Sequence, residues 1–529
     1  MARNGAPFRS ALWPHAHGMA WRASGALLLL AALGACTGGS GDAFDRRTTH
    51  LFQASYENIA QRYVEPVAVD QVALAGLAGI SSIDPTVQVA RAGNAVSLRT
   101  RTTVTTFNAP SSADARGWAA LTTSMVKTGR MQSERLQNAD DDTVYQALFD
   151  SAVKTLDQNT RYLGPAKAKE ERARRVGFGG VGIQLHAVGD TIEVLSVVPD
   201  SPAAAANIRP RDRLLRIGDK LVHGMNVSEV VDRVRGPIGA RIDLEFQRPD
   251  APAPLSYRLT REKIVPQSVF ARSEGRHLEI KIGPQFNEQT AKTLQQQVAE
   301  IRRRMGPALS GIVIDLRDNG GGLLDQAVRS ADLFLRKGII ASARGRHPES
   351  VQSFGASGDD VSGGLPIVVL VNGGTASAAE VMAAALQDNG RAVIVGTGTY
   401  GKGTVQLISD LPNDGEFMLT WSRLHAPSGY ALHRLGVPPT ICTSGGIETV
   451  ARAVDGLRVR ASEIEARMAR WHAQVFPDPE TSERLRNTCP AEKVVRAVDL
   501  DIARALLDDA TAYRQAVGLT KSQIARTED

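Results

Sequence analysis

"IVVLVNGGTASAAEVMAAALQDNGRAVIVGTGTYGKGTVQ", residues 367–406, reads as strand, helix, strand. Ile367–Val371 and Ala392–Gly396 are short apolar runs of the kind covered on both faces of a sheet. Between them, Ala378–Leu386 is built of helix formers. Such a unit makes a parallel pair, and the carboxyl ends of its strands share one edge. Ser377 opens the helix and Lys402 follows the second strand, so the two are expected to meet there.

The residues leave two chemistries open at that edge. Ser377-Ala-Ala-Glu380 is S-x-x-E, a capping box worth about 1 kcal/mol. Alternatively Ser377 is a nucleophile: Asn372-Gly-Gly-Thr-Ala376 is small enough to admit a substrate backbone, and a helix start favours developing negative charge. No histidine lies near in sequence, which leaves Lys402 as the base, and a lysine serves only when neutral. At pH 7 only about one ordinary lysine in two thousand is neutral, so burial must depress it strongly. Gln406, four residues on, is expected on the same strand face as Lys402, placed to orient it.

Outward from this unit, strand and helix alternate from Ile264 to about residue 440. The segment after IVIDL reads Asp315-Leu-Arg-Asp-Asn-Gly-Gly-Gly-Leu323, whose glycines allow positive φ and backbone N–H groups aimed at a ligand oxygen. A plain strand-to-helix turn is the other reading. Residues 176–262 are short apolar strands divided by Gly, Pro and Asp. Gly177-Phe-Gly-Gly-Val-Gly182 precedes a strand rather than a helix, which excludes a dinucleotide fingerprint. Gly401-Lys-Gly403 has glycine where a P-loop needs Ser or Thr and is followed by a strand, which excludes that nucleotide site too. Residues 37–62 become helical, with Leu51, Phe52, Ser55 and Ile59 on one face. The Thr-, Ser- and Arg-rich stretch 88–130 reads as a mobile insertion.

With 529 residues, several domains are expected. The net charge of +6 is small and scattered, so no nucleic-acid partner is read. Gly25–Ala35 is apolar but too short to span a bilayer, and it ends in Leu-Gly-Ala before Cys36. Met1 and Met19 both stand as candidate starts, and Met19-Ala-Trp-Arg22 would supply the compact basic start of a signal peptide. Export into an oxidising compartment makes Cys442 and Cys489 a candidate disulfide, and the dispersed His and Cys argue against a metal.

Residues 373–406 resemble the signature of the carboxyl-terminal processing proteases, tail-specific serine peptidases: G-T-A-S-A-x-E, A-L-Q-D-x-G-R-A, then Y-G-K-G-T-V-Q. The 25-residue interval from Ser377 to Lys402 matches that family's. The resemblance implies Ser377 as nucleophile, Lys402 as general base, Gln406 as its orienting partner, and the amides of Gly321 and Ala378 as oxyanion hole. GVGIQL, VVPDSPAAAANIRPRDRLLRIGD and VRGPIGARIDLEFQR resemble the family's PDZ domain. There Gly180, Val181, Gly182 and Ile183 would receive a C-terminal carboxylate while the peptide adds as a strand. Leu-Gly-Ala-Cys36 resembles a lipobox, with Cys36 lipid-modified.

The chain departs from the family pattern in places. Leu156-Asp-Gln-Asn-Thr-Arg-Tyr-Leu163 stands for L-D-P-H-S-x-Y-L, Asp318 and Gly320 replace Asn and Pro, and Gly436-Val-Pro-Pro439 lacks the acidic residue of G-x-x-P-D. The expected architecture is multidomain α/β. It comprises a lipoprotein signal peptide (1–36), a helical region (37–172), an inserted PDZ domain (173–263), a crotonase/ClpP-like protease core (264–440) and a C-terminal helical region (441–529). The expected activity is endoproteolysis near protein C-termini without a cofactor, on a lipid anchor in the periplasm, with Thr37 leaning toward the outer membrane. Partners are protein C-termini and the membrane, with an adaptor or self-association left open. A scaffold that binds tails without cleaving them is the alternative.

Overall fold

The computed structural model describes residues 40–446 and 449–520; Cys36, the expected lipidation site, lies outside them. Met1–Phe44 is one unit, described only from Ser40, where a helix running to Arg62 begins. Asp45–Asp529 is the other. Leu51, Phe52, Ser55 and Ile59 are buried, as their helical spacing predicts. Phe52 stacks on Phe149, which stacks on Tyr162, with centroids 5.0 and 4.4 Å apart.

Residues 88–130 are not the expected mobile insertion. Gln88–Ala92, Ala95–Arg99 and Val104–Asn108 form an antiparallel meander, followed by a helix over Ala115–Gln132. The polar composition hides a period of two: Val96 and Leu98 are fully buried, as are Trp118 and Met125 of the helix. Asp114 caps that helix by accepting from Gly117 N at 2.9 Å.

In the β-rich unit, Phe178–Gly180 pairs with Glu262–Ile264, so its entry and exit lie side by side. Its sheet ends at the strand β1 (Ile183–Val188), whose one neighbour among the described residues is Thr191–Val197. The helix α1 (Val227–Val234) starts with a complete capping box from Asn226 and Glu229 and lies against β1.

The core is a six-stranded sheet in the order Val269–Glu274, β2 (His277–Ile282), β3 (Gly311–Asp315), β4 (Ile367–Val371), β5 (Ala392–Gly396), Ile441–Cys442. All pairings from β2 onward are parallel. Ile312, Ile314, Ile367, Val369 and Val371 face one core, which contains the helix α2 (Ala378–Asp388). Val313, Val368, Leu370, Val393 and Val395 face the other, covered by helices from the C-terminal region. Burial on both faces is why these strands are continuously apolar. Because Ile441–Cys442 joins this sheet, the core extends past the expected boundary at 440. A second sheet carries β6 (Thr404–Asp410) and β7 (Glu416–His425), with Arg161–Leu163 paired onto β7.

Candidate active site

The loops after β3, β4 and β5 leave the same sheet edge, as parallel pairing dictates. Cross-links tie them together. Ala376 N donates to Asn319 O at 2.9 Å, and Tyr400 N to Thr375 O at 2.9 Å. Asp318 and Asn372 bond reciprocally, Asp318 N to Asn372 Oδ1 and Asn372 Nδ2 to Asp318 Oδ1, each 2.9 Å.

Ser377 enters α2 at φ 56° and ψ −119°. For a residue with a Cβ this conformation costs about 1–3 kcal/mol and persists only where the surroundings impose it. Glu380 is the group that imposes it. Its fully buried carboxylate accepts Ser377 N at 2.7 Å and Lys402 N at 2.9 Å on Oε2, and Gly401 N at 2.7 Å and Thr399 Oγ1 at 2.5 Å on Oε1. Burial pushes this carboxyl up, and the four donors pull it back. Cap and reactive loop are thus one device: the carboxylate half of the capping box also carries the lysine loop, and the backbone nitrogens of Ser377 and Lys402 share a single oxygen.

The Lys402 side chain is largely buried and has no ion-pair partner among the described residues. Burial, followed by the cation Arg161, depresses its amine to about 8, against opposing fields from Glu380 and Asp157. At pH 7 roughly one tenth of such a lysine is neutral.

Two expected roles are not realised in this arrangement. Gln406 does not bond Lys402; its Nε2 donates to Thr404 Oγ1 at 2.9 Å and Thr420 Oγ1 at 3.2 Å. Simple alternation from Lys402 fails because that residue precedes β6 and a register shift falls between Val405 and Gln406. Gly321 packs directly on the serine: with φ 108°, an added Cβ would lie 2.8 Å from Ser377 Cβ. Its N–H, however, donates to Asn319 Oδ1 at 2.9 Å. Ala378 N has no acceptor among the described residues.

Further contacts at the site join segments distant in sequence, and the candidate disulfide Cys442–Cys489 is among them. Asp157 accepts Thr160 Oγ1 at 2.6 Å and Thr420 Oγ1 at 3.0 Å, placing a carboxylate behind the Gln406–Thr420 pair. Arg317 pairs with Asp315 and, at 3.3 Å, with Asp499 from the C-terminal region. The segment Cys489–Glu492 crosses both reactive loops: Gly373 N donates to Glu492 O at 2.9 Å and Glu492 N to Thr397 Oγ1 at 3.2 Å. Cys489 is joined to Cys442, with Cα atoms 5.9 Å apart. No group of His, Cys, Asp or Glu that could hold a metal occurs among the described residues.

Gly180 closes the strand Phe178–Gly180, Val181 and Gly182 form the connection, and Ile183 opens β1. At φ 84°, a Cβ on Gly182 would strike Ser201 Cβ at 2.2 Å, so only glycine fits this turn. These four residues lead into β1, an edge strand among the described residues.

Residues 280–443 match the model of peptidase family S41, and 193–248 a PDZ domain model. A carboxy-terminal-processing protease of Bartonella bacilliformis is 38% identical over 314 residues, which cover 59% of this chain and 72% of that protein. The chain belongs to the S41 peptidase family. A second relative, the carboxy-terminal processing protease CtpA of Bacillus subtilis, is 31% identical over 316 residues, 59% of this chain and 66% of that protein. The solved photosystem II D1 C-terminal processing protease is 23% identical, covers 74% of this chain and 92% of its own, and superposes with a TM-score of 0.38. This S41 peptidase therefore combines a protease core with a PDZ domain and helical regions at both ends.

Proposed function

We propose that this S41 peptidase is a serine endopeptidase of the C-terminal processing type, in which Ser377 attacks and Lys402 accepts its proton. The observation that carries the reading is the shared Glu380 oxygen, which brings a strained serine and a half-depressed lysine to one edge. In the reaction, Ser377 Oγ bonds to the scissile carbonyl carbon while its proton passes to Lys402 Nζ. The oxyanion takes the free Ala378 amide, and the Gly321 amide joins it only by exchanging Asn319 Oδ1 for the oxyanion. Lys402 then protonates the leaving amine; in the second half Lys402, neutral again, takes a proton from water, which attacks the acyl carbon, and the Ser377 Oγ–acyl bond breaks as Lys402 returns that proton to Oγ. The names of the relatives, together with the edge position of β1 among the described residues, support capture of protein C-termini by the PDZ domain as an added strand.

The disulfide supports residence in an oxidising compartment, as does the lipobox-like Leu-Gly-Ala-Cys36; we place the protein on a lipid anchor facing the periplasm. No described helix is long and apolar enough to cross a membrane. The Gly321 amide, donated to Asn319, favours a second reading: a tail-binding scaffold with little catalysis. One experiment separates them. The mature protein is incubated with an unfolded substrate carrying a free or an amidated C-terminus, beside Ser377→Ala and Lys402→Ala. Cleavage by the wild type alone, faster on the free carboxylate, supports the peptidase; equal inertness of all three supports the scaffold.

A further inference from the structure

Away from this edge, the helix α3 (Ala461–His472) and Thr488 border a cavity of about 420 Å³. Arg460, Glu463, Arg467 and Arg470 line it, and their spacing sets them on one helix face. The single carboxylate is already engaged: Arg460 Nε donates to Glu463 Oε2 at 3.0 Å. Arg467 is only 8% exposed, yet no carboxylate pairs with it among the described residues. One of its nitrogens, Nη2, donates to the carbonyls of Pro439 and Thr440 at 2.8 and 3.3 Å, and its Nε has no partner there. The charges acting on Arg467 are the cations Arg460 and Arg470, which, after burial, push its guanidinium down.

A buried cation is costly unless an anion accompanies it. Carbonyls satisfy N–H groups but leave the charge uncompensated, and three arginines against one glutamate keep the cavity positive. The planar guanidinium fork fits the paired oxygens of a phosphate group.

We propose that this cavity binds a phosphate-type oxyanion, held by Arg467 and Arg470 with Arg460 at its rim. That anion is either a soluble phosphate or the headgroup of an acidic lipid. The test uses the full mature chain. Inorganic pyrophosphate is titrated calorimetrically, with acetate as the carboxylate comparison, and sedimentation is measured with phosphatidylcholine vesicles with and without phosphatidic acid. Pyrophosphate should bind and raise the melting temperature. Arg470→Gln should weaken it about tenfold, and Arg467→Gln should abolish it. Where Arg467→Gln fails to fold, the surface double variant Arg460→Gln/Arg470→Gln carries the same prediction. Arginine-dependent sedimentation on phosphatidic acid assigns the anion to a lipid headgroup; pyrophosphate binding without it assigns a soluble phosphate. Pyrophosphate affinity unchanged in the double variant, acetate bound as tightly as pyrophosphate, or no binding in either format overturns the proposal.

Discussion

At Lys402 the chain holds an amine whose charged form is penalised by burial and by Arg161. The neutral form is the base, and its fraction grows with pH, so kcat/KM should rise about tenfold per pH unit below about 8 and level off above it. A flat profile below that pH would remove Lys402 from the reaction. The same depression acts on stability. Between about 8 and the ordinary lysine value the unfolded chain binds the extra proton, so this group makes the unfolding free energy climb with pH in that window. Ser377 gives an independent reading of strain. Because its φ of 56° suits glycine better than any other residue, Ser377→Gly should be more stable than Ser377→Ala by about 1 kcal/mol while both are inactive. Equal denaturation midpoints for the two would show that the loop relaxes at no cost.

The segment Cys489–Glu492 is the element that depends on chemistry outside the core. It bridges the serine and lysine loops through Gly373 and Thr397, and the bond to Cys442 closes a span of 47 residues in sequence. Chain entropy alone assigns a cross-link of that span roughly 4 kcal/mol. Reduction should therefore lower the melting temperature and also reduce proteolysis, since both loops lose a shared support. Thermal melts and activity with and without reductant, beside Cys442→Ser, test this; a melting temperature indifferent to reductant would show that the strap holds by its hydrogen bonds.

Across the whole molecule, the C-terminal helices are a layer of the core rather than an appendage. Val313, Val368, Leu370, Val393 and Val395 are buried against them, and Asp499 reaches back to Arg317 beside the glycine loop. Ending the chain after residue 446 would expose that apolar face, and such patches drive association. The truncated protein should be insoluble or aggregated by size-exclusion chromatography; a soluble, active monomer would contradict the layered arrangement.

Much of this protein follows from local order in its sequence. The apolar runs 367–371 and 392–396 form neighbouring parallel strands, Ser377 starts the helix between them, and the face of Leu51, Phe52, Ser55 and Ile59 is buried. Period and capping act over a few residues and remain visible in a string of letters. The meander in 88–130 escaped because its alternation is written in Thr, Ser and Arg, which composition alone assigns to loops. Which donor meets which acceptor was decided only by the tertiary structure. Glu380 gathers four donors, Gln406 turns to Thr404 and Thr420, Asn319 takes the Gly321 amide, and Arg467 is buried without a carboxylate. Each of these depends on loop torsions and on segments distant in the chain, and no local periodicity encodes either.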